Sequence, residues 1–422
     1  MSTPLALSRR AVKAPPRFHT TFAAQVYSAL AESCSARLNR HSISPRLGFT
    51  VEVCYNLLML RINEILAHPV ELPLVMPFET AYRRATTSPT VIVELRAGDL
   101  VGYGEATPVR QVTGEDVTTV MHDLATAAEV LVGADLAQFR LSARKLAEAL
   151  PQGKSACAGV EMAMLDAYAR HLGIPVYALF GGAAIRIETD VTVPICPPDQ
   201  ARERAKEMHA RGFRLFKVKV GKDQAEDMAR VMAISEGAPG CSFVLDANQG
   251  YTPAQAVKFT KMVLDRDLNV RLLEQPVDAA DLNGMRYVTE RVPVPVFADE
   301  SAQTPADVLE VVRYRAANGV NVKLMKAGMI GALTISSICR AAKLDLMFGS
   351  MLESRIGQCA SVHVACGTNT FSVFDLDSDL LVADQPFTGG VERTGPIIKL
   401  LGGPGLGCEI SEGALEPFLK RD

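Results

Sequence analysis

The chain has 422 residues, too many for one small module, and length alone suggests two to three domains. With 48% hydrophobic and 22% charged residues it has an ordinary globular balance, which argues against extensive disorder. A net charge of −3 gives no electrostatic case for nucleic acid as a partner. No apolar run approaches the ~20 residues that a bilayer span requires. Nine scattered cysteines, without a Cys-x-x-Cys pair, fit neither a disulfide framework nor a zinc knuckle. What remains is a reduced, cytoplasmic-type enzyme of medium size.

Residues 1–58 stand apart. They hold seven Lys/Arg against two acids, Glu32 and Glu52, together with seven serines and Pro15-Pro16. Arg- and Ser-rich, acid-poor leaders can be organelle transit peptides, which would make the protein organellar. No cleavage signal is recognisable, so the preferred reading is an extension outside the mature fold. It would be a tail, or sequence upstream of a true start at Met59. All the candidate functional residues lie beyond it.

Organised sequence begins at Met59. Residues 60–66 alternate apolar and polar side chains, which predicts a half-buried strand. Residues 90–95 and 100–105, joined by Gly98-Asp99, predict a hairpin. Helical periods dominate from Asp116 to Arg170, so residues 59–185 read as an α+β capping domain. From Glu188 the pattern changes to short apolar strands with amphipathic helices between them. Strands are expected at 189–195, 215–220, 243–248, 271–276, 296–301, 320–325, 344–350 and 371–376. Thr252-Pro253 and Thr304-Pro305 each offer a capping hydroxyl followed by proline at the first helical position. Eight such strands indicate an α/β fold in which 186–383 form a modified TIM-type (β/α) barrel. An open doubly wound sheet would usually have fewer strands and a Gly-x-Gly-x-x-Gly turn, which the first strand ends lack. The glycines between 402 and 407 read as plain loop, and 384–422 as a segment returning to the capping domain.

The strand ends carry the chemistry. They present Lys217 and Lys219, then Asp246, Glu274, Asp299 and Lys323, and finally Asp375 and Asp377. Any one of these fits a solvated or salt-bridged strand end. As a set they are phased: from Lys219 the intervals are 27, 28, 25 and 24 residues. Equal phasing on a barrel places them around one mouth, the face where barrel active sites lie. Three carboxylates there would repel one another unless a cation neutralised them. Oxygen ligands without nearby Cys or His favour Mg²⁺. Lys217 and Lys219, two apart, share one face, and Lys323 should face them across the mouth. Desolvation, a neighbouring lysine and a divalent ion would each favour a neutral lysine, giving two opposed acid/base groups. Asp375 and Asp377 also share one face and suit a cationic group.

With these residues in place, the sequence resembles the enolase superfamily and, within it, the muconate-lactonizing subgroup. The resemblance runs from Met59 to Ile410 and rests on a series of motifs. They are Lys217-Val-Lys219-Val-Gly221, Leu245-Asp-Ala-Asn-Gln-Gly250, Glu274-Gln-Pro276, Ala298-Asp-Glu-Ser301 and Val322-Lys-Leu-Met-Lys-Ala-Gly328. Gly349-Ser-Met351, Glu353 and Phe374-Asp-Leu-Asp377 complete it, and the last is most similar to dipeptide epimerases of the L-Ala-D/L-Glu type.

That resemblance implies an isomerase acting on a dipeptide. One Mg²⁺ per active site would sit on Asp246, Glu274 and Asp299 and bind the substrate carboxylate. Lys219 and Lys323 would perform a two-base 1,1-proton transfer through a stabilised enediolate, with Lys217 adding positive charge. Asp375 and Asp377 would hold the dipeptide's ammonium group. Arg83, in the lid loop, matches an arginine that meets an acidic side chain, although Arg84 stands beside it as a rival. Thr192 and Ser350 match positions that line the pocket. His68, His171 and His363 match no catalytic position and read as structural. A homo-oligomer is expected, with no nucleic-acid or membrane partner. The rivals are an N-acylamino-acid racemase, an o-succinylbenzoate synthase or a muconate cycloisomerase of the same superfamily. Outside it stand a metal-dependent aldolase or hydrolase barrel and a non-catalytic binding barrel.

Overall fold

The computed structural model describes residues 60–182, 184–411 and 413–419, so the expectations for residues 1–58 lie outside the described residues. Strands β1 (Glu64–Glu79), β2 (Arg84–Ala97) and β3 (Leu100–Ala106) form an antiparallel sheet in that order. β1 starts later and runs much further than the expected 60–66. It pairs with β2 across Pro69 and Pro73 and shifts register before Phe78. Proline is tolerated there because β1 is an edge strand, and the prolines hid it from the alternation pattern.

Helices α1 (Val117–Leu131) and α3 (Lys154–Leu172) pack on this sheet, and α2 (Phe139–Ala149), which lies between them in the chain, packs against both. Asp116 caps α1 by accepting the Thr119 N–H at 2.9 Å. α3 is buried along most of its length and lies tight against β3. A Cβ on Gly102 or Gly104 would collide with the carbonyl oxygens of Ala163 or Gly159, so β3 needs glycine at both positions.

A short helix α4 (Val176–Leu179) and strand β4 (Arg186–Glu188) lead into the barrel. Its strands are β5 (Val191–Val193), β6 (Leu215–Lys219), β7 (Ser242–Asp246), β8 (Asn269–Glu274), β9 (Val296–Ala298), β10 (Gly319–Val322), β11 (Asp345–Gly349) and β12 (Val373–Asp375). All eight lie in consecutive order in one sheet. The helices between them are α5 (Pro198–Ala210), α6 (Gln224–Gly237), α7 (Pro253–Leu264), α8 (Leu282–Thr289), α9 (Pro305–Tyr314), α10 (Leu324–Ala342) and α11 (Arg355–Thr368). Thr252 and Thr304 cap α7 and α9 with the expected proline behind them, each in a reciprocal capping box. All eight barrel strands end one to three residues before their expected limits, and two of them fall three residues short. β9 stops at Ala298, and β10 stops at Val322 because α10 begins at Leu324.

The barrel is nearly closed. Between β12 and β5 the seam is bridged by the Asp190 N–H on the Phe374 carbonyl at 2.9 Å and the Thr192 N–H on Asp377 Oδ2 at 2.6 Å. Val244, Leu272, Phe297 and Met347 form a small separate core of buried residues. Phe216, Val218, Phe243, Leu245 and Leu273 belong instead to the large core, each contributing roughly 1.5–3 kcal/mol by burial. After β13 (Phe387–Gly389), strands β14 (Val391–Thr394) and β15 (Ile397–Leu400) pair onto β4, and β16 (Cys408–Ile410) pairs with β13. The chain then returns to β1, where the Glu71 N–H meets the Phe418 carbonyl at 2.9 Å. Among the described residues no helix is long and apolar enough to cross a membrane.

His363 ties α11 to the loop before β16. Its Nδ1 accepts the Tyr177 N–H at 3.1 Å, which leaves Nε2 to donate to the Leu406 carbonyl at 3.3 Å. Burial holds the imidazole down at about 4, so it is neutral. In the unfolded chain the ring takes a proton near pH 6.5, so the native fold loses stability as pH falls from there toward 4. Relative to a His363→Leu variant, the native protein should lose about 2 kcal/mol more unfolding free energy between pH 7 and pH 5. Denaturant titrations at the two pH values measure this, and equal losses would refute it.

Candidate active site

Strand register brings the phased residues together. Lys219 pairs in register with Asp246, and Asp246 with Glu274. Asp299 directly follows β9, Lys323 directly follows β10, and Asp375 ends β12. All therefore sit at the carboxyl ends of parallel strands, as the spacing predicts.

The three carboxylates are fully buried, and lysines neutralise them. Lys217 Nζ lies 3.1 Å from Asp246, 2.9 Å from Glu274 and 2.6 Å from Asp375. Lys219 Nζ is 2.6 Å from Asp246, and Lys323 Nζ is 2.7 Å from Asp299. Asn321 donates to Glu274 Oε1 at 2.7 Å. Among the described residues no three His, Cys, Asp or Glu side chains converge on one point. Each carboxylate is turned onto an ammonium group instead. The donor set still fits a hard divalent cation, because it is all oxygen, buried and drawn from neighbouring strands. Two further buried oxygens beside it, Asn248 Oδ1 and Glu300 Oε2, have no hydrogen-bond partner among the described residues.

The electrostatics add a condition to one expectation. Burial opposes charge on Lys217 and Lys323, yet both are raised rather than lowered, by Asp375 and Glu274 in the first case and by Asp299 in the second. Attraction at under 3 Å outweighs desolvation. Burial likewise works against the charge of Asp246, but Lys219 and Lys217 hold it at about 2. Glu274 goes the other way, to about 7, through burial and the charge of Asp246. Neutral lysine is therefore not intrinsic to this cluster; it requires that the carboxylate charge be engaged elsewhere.

One cavity is lined by Lys219, Lys323, Asp375, Asp377, Thr192, Ser350 and Arg83, joined by Phe78, Tyr82 and Asn248 among others. Lys217 and the three carboxylates are buried and do not form part of its lining. Of the two adjacent arginines, Arg83 is half-buried at the cavity, whereas Arg84 is exposed and pairs with Glu79 at 3.6 Å. Thr192 Oγ1 donates to Asp375 Oδ1 at 3.1 Å, and Ser350 Oγ to the Asp375 carbonyl at 3.1 Å.

Several participants had been given no role in the sequence reading. Tyr82 in the turn between β1 and β2 and Asn248 after β7 both donate to Glu300 Oε1 at 3.2 Å, tying that turn to two strand ends. Glu105, at the end of β3, accepts the N–H groups of Ser354 and Gly357 at 2.8 and 2.9 Å and caps α11. Glu353 accepts the Met351 N–H at 2.9 Å, and burial beside Glu105 raises it to about 8. Lys326, only part of a quoted motif above, makes three short bonds beside Asp299.

Known proteins share this arrangement of domains. Residues 62–181 match the mandelate racemase / muconate lactonizing enzyme N-terminal domain, and residues 200–414 match the enolase C-terminal domain-like family. The L-Ala-D/L-Glu epimerase of Bacillus subtilis is 36% identical over 82% of this chain and 96% of its own length. The aromatic dipeptide epimerase of Herpetosiphon aurantiacus is 37% identical over 83% and 99%. The crystal structure of the dipeptide epimerase from Enterococcus faecalis, complexed with Mg and L-Leu-L-Tyr, superposes with a TM-score of 0.80 at 32% identity. It covers 83% of this chain and 100% of that one. Both halves of the fold and the relatives agree: the chain belongs to the mandelate racemase/muconate lactonizing enzyme family of the enolase superfamily.

Proposed function

We propose that this chain is a Mg²⁺-dependent dipeptide epimerase of the L-Ala-D/L-Glu type, an isomerase that inverts the α-carbon of the C-terminal residue. One observation carries the reading. Lys219 and Lys323 both reach the cavity, from strand ends separated by the three carboxylates, while Asp375 and Asp377 line the same cavity. Asp246, Glu274 and Asp299 would hold the ion, which supplies positive charge against the substrate carboxylate. One lysine takes the α-proton and the other delivers a proton to the opposite face. Lys217, fixed among Asp246, Glu274 and Asp375, keeps a positive charge beneath the reacting carboxylate.

Asp375 and Asp377 receive the ammonium group of the first residue, oriented by Thr192, with Ser350 holding the Asp375 main chain. Arg83 meets an acidic side chain on the second residue. An N-acylamino-acid racemase, an o-succinylbenzoate synthase or a muconate cycloisomerase would have no ammonium group for these aspartates. A cytoplasmic location suits the seven free cysteines of the described residues.

Incubation with Mg²⁺ and a dipeptide panel in D₂O tests the reading by proton NMR. Deuterium should appear at the α-carbon of the C-terminal residue, together with the epimer. Exchange in N-acylamino acids but in no dipeptide would give the site to the racemase reading.

A further inference from the structure

We propose that Lys326 is a positioning residue that holds Asp299 ready for the divalent ion, an inference that rests on the metal site proposed above. Lys326 stands in the first turn of α10 and is 2% exposed. Its Nζ donates to Asp299 Oδ1 at 2.7 Å, to the Asp299 carbonyl at 2.8 Å and to the Asn321 carbonyl at 2.8 Å. An ammonium group has three N–H donors, and all three are taken by protein acceptors. Two of those acceptors belong to the same residue, so Lys326 grips Asp299 by backbone and side chain at once. The Asp299 N–H is held as well, by Gln275 Oε1 at 2.9 Å.

Lys323 is different. It reaches Asp299 from the cavity, on Oδ2 at 2.7 Å, and that is the one hydrogen bond of its ammonium group among the described residues. The two oxygens of Asp299 are thereby divided. Oδ1 faces a lysine committed on every donor, and Oδ2 faces the lysine that lines the cavity.

Local backbone explains how Lys326 comes to point inward. Gly328 has φ 67° and ψ 177°, which breaks α10 after its first turn. The helix restarts where the Ile330 N–H donates to Glu161 Oε2 at 2.9 Å. A Cβ at position 328 would run into the Glu161 carboxylate, so only glycine permits the break. The turn bearing Lys326 is thus set independently of the rest of the helix.

Charge and geometry make opposite demands here, which makes the role testable. By charge alone, a cation beside a ligand carboxylate repels the metal, and its removal would tighten binding. By geometry, loss of Lys326 removes the bond on Asp299 Oδ1, leaves the Asp299 carbonyl only its bond from the Ala302 N–H at 3.1 Å, and frees the Asp299 side chain to turn away. Groups that orient metal ligands typically contribute 10- to 100-fold in affinity.

Mn²⁺ binding by the full chain, followed by electron paramagnetic resonance, separates the two. Lys326→Met and Lys326→Gln should each bind Mn²⁺ about 10- to 100-fold more weakly than the wild type. Lys323→Met, which removes a cation from the cavity side of the same carboxylate, should bind no more weakly. Wild-type or tighter affinity in the Lys326 variants overturns the role. A wild type that binds no Mn²⁺, or a Glu274→Gln variant that binds it undiminished, condemns the metal site instead. Should neither Lys326 variant fold, a crystal structure of the Mn²⁺-loaded wild type decides. Lys326 must still bond Asp299 Oδ1 with Oδ2 turned to the ion, and a Lys326 found away from Asp299 overturns the inference.

Discussion

Lys219→Ala and Lys323→Ala are each expected to stop epimerisation, with losses of about 10²- to 10⁴-fold in kcat, because inversion needs a proton donor and an acceptor on opposite faces. Neither change should unfold the protein. Without Lys219, Asp246 still has Lys217 at 3.1 Å, and without Lys323, Asp299 still has Lys326 at 2.7 Å. No buried carboxylate is left unpaired, which is the outcome that usually costs most. Each variant retains one base. One should therefore exchange the α-proton of the L-terminated dipeptide with D₂O, and the other that of the D-terminated dipeptide. A general loss of structure cannot produce that mirror-image pattern. If both variants epimerise at the wild-type rate, the two-base mechanism is wrong.

Much of the site was legible because a barrel converts sequence spacing into position. Parallel strands buried on both faces read as apolar runs, so a charge at each run's end marks the mouth. The in-register row of Lys219, Asp246 and Glu274 is the spatial form of the 27- and 28-residue intervals.

What stayed hidden had no local signal. Asn321 lies inside an apolar strand, and only the fold shows that its amide meets Glu274. Lys326 lies just past the strand expected at 320–325, and nothing local showed that it would point at Asp299, because the break at Gly328 is set against Glu161, far away in α3. Glu105 caps a helix 249 residues downstream. β1 was obscured by prolines that an edge position permits. The choice between Arg83 and Arg84 turns on the geometry of a tight turn, which adjacent identical residues cannot reveal.

Substrate selection should depend on a free ammonium group. Asp375 and Asp377 both line the cavity and are nearly fully buried, so a cation placed there meets carboxylates that water does not screen. Losing a buried charge partner costs about 2–5 kcal/mol, so N-acetyl-L-Ala-L-Glu should show a kcat/KM roughly thirty-fold or more below that of L-Ala-L-Glu. Asp377 also has a second duty, since its Oδ2 accepts the Thr192 N–H across the barrel seam. Asp377→Asn alone would therefore mix recognition with stability. The combination separates them: in Asp377→Asn the gap between free and acetylated dipeptide should shrink, whereas a purely structural role would lower both substrates equally. Arg83→Ala supplies the other end of the test and should penalise Glu-terminated dipeptides more than Leu- or Met-terminated ones. If N-acetylated amino acids prove better substrates than free dipeptides, Asp375 and Asp377 serve Lys217 and the seam rather than the substrate, and the enzyme is an acylamino-acid racemase.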